Sequence, residues 1–300
     1  DECYLQSEIS NRILGFTRQF FLERSIDSYT TKTHTGLLRF LIIRQSKRTG
    51  ELMVNLVTSE HRTQLMNEYT TELVRKFPGI NTVVNGITNR KSQTAFADEI
   101  HVLSGSGKIT ETLSTAEGRQ LSFEISPNSF FQTNVLQCEN LFRTAVDFAE
   151  LTSDDRVLDL YCGTGTISFF LAERSKEVTG VELVEDSIKD AIKNAGRNGV
   201  SNCTFIASDI KDYLEESAHA GKFTVAVLDP PRSGLHPRIC ELLSESEFRR
   251  IVYVSCNPHT QARDLQLICS KGKYAIEKVR PVDMFPHTLH VENVVSLIHV

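Results

Sequence analysis

Three hundred residues, 40% hydrophobic, 24% charged and 8% aromatic, have the make-up of a folded globular chain with material for two domains, and exclude low-complexity disorder and collagen-like repeats. No uncharged run approaches the ~18 apolar residues of a membrane span, and no secretory signal opens the chain. A net charge of −5 gives no compositional reason to expect nucleic acid, and seven cysteines, odd in number and without a C-x-x-C pair, fit a reducing compartment better than a disulfide framework or a self-contained zinc site.

The chain opens at Asp1-Glu2-Cys3 without a Met, so the expectation is a longer protein with sequence upstream. Ser7 to Arg24 places Ile9, Ile13, Leu14, Phe16, Phe20 and Phe21 at helical spacing; Leu37 to Ile43 and Leu52 to Val57 read as strands, and a helix is expected from about Glu60 to Lys76. More strand-like pieces run to Ile125, an α+β pattern. After Ser126-Pro127-Asn128 the rhythm changes. A helix near Leu136 to Leu151 leads into apolar strands at Val157–Leu160, Val178–Val181, Thr204–Ile206, Val225–Leu228 and Ile251–Val254, alternating with helices, with further strand candidates at Tyr274–Val282 and Val294–Val300. Repeated β-then-α units with apolar strands predict a doubly wound, mostly parallel sheet covered on both faces. The expected boundary is near residue 126, giving domains 1–126 and 127–300. Residues 1–126 hold 15 Lys and Arg against 14 Asp and Glu, and the remainder 18 against 24.

Val157-Leu158-Asp159-Leu160-Tyr161-Cys162-Gly163-Thr164-Gly165-Thr166-Ile167 is a strand entering a glycine turn and then a helix, where a ligand can approach the backbone closely. Glu182 ends the next strand, 19 residues after Gly163, where a carboxylate can accept from both hydroxyls of a ribose. Ser168 stands where a dinucleotide fingerprint would prefer a third glycine, and Asp159 at the strand end suits a cationic or neutral ligand such as S-adenosylmethionine better than a pyrophosphate. Asp229-Pro230-Pro231-Arg232 ends a later strand, its prolines stiffening the exit so that Asp229 projects at a fixed angle. Ser255-Cys256-Asn257-Pro258 puts a thiol at the same sheet edge, although a cysteine is more often a buried small hydrophobe than a nucleophile.

Five motifs in order, Phe130-Phe131-Gln132-Thr133-Asn134, Asp159 through Gly165, Asp229-Pro230-Pro231-Arg232, Ser255-Cys256-Asn257-Pro258, and Asp283-Met284-Phe285-Pro286-His287-Thr288 continuing to His290-Val291-Glu292, resemble the RNA uracil-C5 methyltransferases, which make 5-methyluridine in tRNA and ribosomal RNA. The resemblance covers about residues 120–300. It implies a Rossmann-like S-adenosylmethionine-dependent methyltransferase sheet with a smaller N-terminal α+β domain. It further implies that Gln132, Tyr161, Glu182 and Asp229 contact S-adenosylmethionine, that Asp209 meets its adenine end, that Cys256 is the nucleophile and that Glu292 is the base.

The chemistry asks for those residue types. A soft thiolate adding to uracil C6 delivers negative charge to C5, and a carboxylate must then remove the C5 proton so that the sulfur can leave. The site is expected to favour the thiolate through backbone donors near Asn257. The target base must be taken out of its stack, so an RNA loop is the expected partner, no membrane is, and a monomer is expected. Arg44, Lys47 and Arg48 form a local basic cluster that could meet phosphate, or simply mark a solvated hairpin end. Many members of the family carry an N-terminal barrel and four cysteines for an iron-sulfur cluster. Only Cys3 could match one of those four, so a cluster would require cysteines upstream. An RNA cytosine-C5 methyltransferase shares the thiolate logic, but that class typically also has a cysteine directly after its Asp-x-Pro motif, whereas Arg232 follows Asp229-Pro230-Pro231 here. A non-catalytic RNA-binding relative is the other alternative, opposed by intact Cys256 and Glu292. The expected compartment is the cytoplasm, or an organelle if a targeting peptide precedes residue 1.

Overall fold

A computed structural model describes residues 6–91, 95–216 and 221–300. They form two compact units, Asp1–Thr112 with Phe123–Ser129, and Leu113–Ser122 with Phe130–Val300. The chain therefore crosses between units more than once, and residue 126 falls in the last stretch of the first unit.

In the first unit, α1 (Glu8–Glu23) is followed by β1 (Leu38–Gln45), β2 (Leu52–Thr58), α2 (Thr63–Lys76), β3 (Thr82–Ile87) and β4 (Glu99–Ser104). The sheet order is β1-β2-β3-β4, with β2 and β3 parallel and the outer pairs antiparallel. Two parallel neighbours need a crossover, and α2 supplies it. β2 and β3 are buried along their whole length, as central strands beneath helices must be. Ile13, Phe20 and Phe21 of α1 meet Met66, Tyr69 and Leu73 of α2 in one cluster, and Thr17 Oγ1 satisfies the buried Tyr69 hydroxyl at 2.8 Å. Truncating a buried ring of this kind costs ~3–5 kcal/mol.

β5 (Ile109–Ser114) and β6 (Gln120–Ile125) pair as a separate two-stranded sheet. The second unit then runs α3 (Val135–Ala149), β7 (Arg156–Leu160), α4 (Thr166–Ala172), β8 (Glu177–Glu182), α5 (Glu185–Asn198), β9 (Cys203–Ala207), α6 (Ile210–Glu215), β10 (Val225–Leu228), α7 (Pro237–Glu245), β11 (Arg250–Ser255), α8 (Pro258–Ile268), β12 (Tyr274–Val282) and β13 (Glu292–His299). The seven-stranded sheet has the order β12-β13-β11-β10-β7-β8-β9. β11, β10, β7, β8 and β9 run parallel to one another, while β13 is antiparallel to β11 and β12 antiparallel to β13. The doubly wound sheet expected from the sequence is present, with its switch point between β7 and β10, where open α/β sheets leave a crevice beyond the strand ends.

Local chemistry explains the helix starts at that edge. Asn257 and His236 cap α8 and α7, each followed by proline in the first turn, which lacks the N–H that would be left over there. Asn134 and Asp209 cap α3 and α6. α5 has Glu185 and Asp186 in its first turn, Arg197 in its last and left-handed Gly199 at its end, matching the helix dipole and the cap geometry. Among the described residues no helix is long and apolar enough to cross a membrane.

Candidate active site

The site is built from the β7–α4 turn outward. Tyr161, Gly163 and Gly165 all have positive φ, so the chain folds sharply between strand and helix. Gly165 has no substitute: its φ is +81°, and a Cβ there would stand 2.9 Å from the Phe205 ring. Beneath the turn Asp159 is fully buried. Ser168 Oγ donates to its Oδ2 at 2.5 Å, while Oδ1 is buried with no hydrogen-bond partner among the described residues. Desolvation pushes its pKa up to about 7 against the Ser168 hydrogen bond, and the charge of Glu182 adds to the rise. Ser168 is thus the partner of Asp159, a role that a glycine in its place could not fill. Glu182 ends β8 and accepts from the Gly163 N–H at 3.3 Å and the Val184 N–H at 3.0 Å.

Across the switch point the Asp229 N–H continues the ladder to the Leu160 carbonyl at 3.3 Å. Burial, then the nearby charges of Glu292 and Asp159, hold the Asp229 carboxyl well above the usual carboxylate range. Cys256 follows β11, and Glu292 opens β13; the pairing of Ser255 with Asn293 brings these two strand ends side by side. Glu292 is buried and pushed up to about 7 by desolvation, which Arg232 opposes. The half-buried Cys256 thiol is pushed up by burial, then by Glu292 and Asp229, while Arg232 pulls it down through its charge and a hydrogen bond. Cys256, Glu292, Asp229 and Arg232 therefore occupy one electrostatic neighbourhood. Acids crowd it, and a single guanidinium moderates them.

The expectation that backbone donors near Asn257 favour the thiolate needs correction. The Asn257 N–H is spent on Ser255 Oγ at 3.1 Å, and the His259 N–H on the Asn257 side chain at 3.2 Å. Arg232 is the group that favours the anion, a role that nothing local in the sequence signals.

Gln132 is half-buried in the segment before α3, and Asn134 Nδ2 ties that segment to the Met284 carbonyl at 3.1 Å. Two motifs distant in sequence thereby share one place, with Phe130 and Leu289 exposed on them. Tyr161 is half-buried, and desolvation followed by the charge of Asp209 pushes its hydroxyl up to about 12. Asp209 is exposed, its Oδ1 accepting from the Lys211 and Asp212 N–H groups as the cap of α6.

The first unit changes the basic-cluster expectation. Arg44 is turned inward, donating to the Pro127 carbonyl at 3.3 Å, and burial lowers its pKa. Only Lys47 and Arg48 of that trio are exposed, and their backbone N–H groups hold Glu111. Cys3 lies outside the described residues. Among the described residues no group of three or more His, Cys, Asp or Glu side chains is arranged to hold a metal ion.

A tRNA (uracil-5-)-methyltransferase family model matches residues 48–300. The chain belongs to that family. It is 42% identical to an uncharacterised RNA methyltransferase of Chlorobaculum tepidum over 98% of its own length and 60% of the relative's, and 42% identical to one of Bacteroides thetaiotaomicron over 99% and 65%. The chain thus spans roughly three fifths to two thirds of these curated relatives. A Pyrococcus abyssi tRNA (uracil-54, C5)-methyltransferase, solved with S-adenosyl-L-homocysteine, matches with a TM-score of 0.77 at 33% identity, over 99% of this chain and 69% of that one. A Streptococcus mutans protein, a putative SAM-dependent methyltransferase, matches with a TM-score of 0.57 at 12% identity over 96% of this chain and 81% of that one. At that identity it bears on fold alone. The Rossmann-like methyltransferase sheet with a smaller N-terminal α+β unit is the fold of this chain.

Proposed function

We propose that this chain carries the methyl-transferring part of an enzyme that methylates C5 of a uridine in tRNA, with S-adenosylmethionine as methyl donor. The observation that supports it best is the convergence of Cys256, Glu292, Asp229 and Arg232 at one sheet edge, alongside the glycine turn. The family and the tRNA-modifying relative from Pyrococcus abyssi point the same way.

The residues present suit the donor. A buried, unpartnered Asp159 oxygen, with Glu182 and Asp229 each close enough to repel the Asp159 carboxyl, forms a place where a cation relieves strain. Glu182 would take the ribose hydroxyls. Gln132, Tyr161, Asp209 and Asp229 would complete the site by their family positions. When bound, the cofactor supplies an electrophilic methyl group on a sulfonium.

The chain's own residues do the rest. Cys256 as thiolate forms a bond to C6 of the extruded uracil, and the C5=C6 electron pair moves toward C5 and the O4 enolate. Arg232, through its charge and a hydrogen bond, works against burial and the neighbouring acids and so raises the share of Cys256 present as the attacking thiolate. Once C5 carries the methyl group, Glu292 takes the C5 proton, that electron pair restores C5=C6, and the S–C6 bond breaks to return the thiolate. A base that titrates near 7 is matched to this step at neutral pH. RNA tritiated at uridine C5 tests the reading: tritium should be released with S-adenosylmethionine present and release should vanish in Cys256→Ala, whereas release retained by that variant excludes the mechanism. RNA containing 5-fluorouridine should trap a covalent adduct on Cys256.

A further inference from the structure

α8 does more than follow Cys256. Its N-terminal cap Asn257 and its residues Thr260, Arg263 and Asp264 recur at the spacing of one helix face, and all four grip the segment after Asp229. Asn257 Nδ2 donates to the Arg232 carbonyl at 3.1 Å and Thr260 Oγ1 to the same oxygen at 3.3 Å. Arg263 Nη2 reaches the Ser233 and Leu235 carbonyls at 3.1 and 3.2 Å.

Asp264 is the centre of this clasp and is fully buried. Its Oδ2 accepts from the Leu235 N–H and the Tyr253 hydroxyl, both at 2.7 Å, and its Oδ1 from Arg263 at 2.9 and 2.7 Å. Gly234 makes the close approach feasible: its φ is +74°, and a Cβ there would lie 2.5 Å from Asp264 Oδ2. A buried carboxylate with this many donors holds its partners rigidly, because any displaced donor would be left unsatisfied away from water.

We propose that the Arg263–Asp264 pair positions Arg232 against the Cys256 sulfur, so that α8 couples the segment bearing the guanidinium to the segment bearing the nucleophile. The proposal deepens the reading of Cys256 as nucleophile and rests on it. The groups facing the thiol are Glu292 from β13 and Asp229 and Arg232 from the segment after β10; of these only Arg232 favours the thiolate. Asp264 is faced by Arg263 and Tyr253, with Cys240 of α7 and Tyr161 within its electrostatic reach. Loss of the clasp thus removes the one favourable influence on the sulfur and leaves the acidic ones.

The test is alkylation of Cys256 by iodoacetamide across pH 6–10, followed by peptide mass spectrometry on the RNA-free chain, with half-buried Cys269 as internal reference. Asp264→Asn should move the Cys256 rate–pH profile to higher pH, slowing alkylation at pH 8 by about tenfold, while Cys269 keeps its rate. Arg263→Ala, at a half-exposed side chain, should slow it in the same direction by about threefold in the folded variant, with Arg263→Lys recovering part of the loss. General loosening predicts the opposite sign, because both thiols would react faster. Cys256 alkylated at the original rate or faster in folded variants overturns the proposal, and if Asp264→Asn does not fold, Arg263→Ala decides. No RNA enters this measurement, so failure of the chain to methylate uridine would be recognised separately.

Discussion

The polar groups named in the first unit and those of the candidate site in the second are held differently. In the first, Arg39 lies 4.1 Å over the Tyr29 ring, Arg62 meets Glu60 at 2.7 Å, and Glu111 is enclosed by the Ser46 hydroxyl and backbone N–H groups. In the second, Asp159, Asp229, Glu292 and Cys256 are drawn out of water beside one another, and every one has its pKa raised. Groups with partners close by support structure; groups held without enough partners are poised for a ligand or a proton transfer. The cost falls on the stability of the ligand-free chain.

The largest effect that could break this contrast is at Glu292. Glu292→Gln should lower tritium release by about 10²–10⁴-fold and let a covalent protein–RNA adduct accumulate on ordinary uridine, visible on a denaturing gel. Release at the original rate would remove Glu292 from the base role.

Next come the acids under the glycine turn. Because a cation favours ionised Asp159, S-adenosylmethionine should bind more tightly as pH rises through about 7, and calorimetry on Asp159→Asn should show about tenfold weaker binding with a flatter pH dependence. The same shift acts on folding with the opposite consequence. Asp159 in the folded chain titrates above its unfolded value, so its contribution to stability is intact below about pH 4 and is lost as pH rises through about 7. Asp159→Asn should therefore stabilise the cofactor-free chain at pH 8, by up to roughly 4 kcal/mol, and change little at pH 3.5. Denaturant melts at the two pH values check the sign; equal effects at both would mean that Asp159 is not buried as a charge.

The smallest effects separate the arginines of the first unit. Lys47→Glu with Arg48→Glu should leave the melting temperature nearly unchanged and, if this unit touches RNA, reduce the salt slope of RNA binding by about two. Arg44→Glu should instead lower the melting temperature, since it replaces a buried guanidinium that donates to the Pro127 carbonyl with a carboxylate that can only accept.

Much of the second unit was legible in advance. The strand Val225–Leu228 coincides with its sequence range, because a short apolar run between helix patterns has few alternatives in a parallel sheet, and the antiparallel edge strand Tyr274–Val282 coincides with its own. Helix ends moved by up to three residues: the helix expected from Glu60 begins at Thr63, because Arg62 at φ −112° and ψ 86° stands outside helical geometry. Asp159 was readable as a strand-end acid facing a turn. Its Ser168 partner was not, because nothing local says which hydroxyl will lie under which carboxylate.

The sequence by itself determined the order of elements, the sheet type and the residues capable of the chemistry, because apolar periodicity, proline and glycine act over a few neighbours and leave their mark there. Only the tertiary structure decided what those residues experience. That Arg232 rather than an Asn257 backbone donor moderates Cys256, that Arg44 faces inward, and that Asp264 clasps the segment beyond Asp229 all depend on contacts between residues far apart in the chain. Desolvation and charge act through space, and they are set only when the sheet brings its strand ends together.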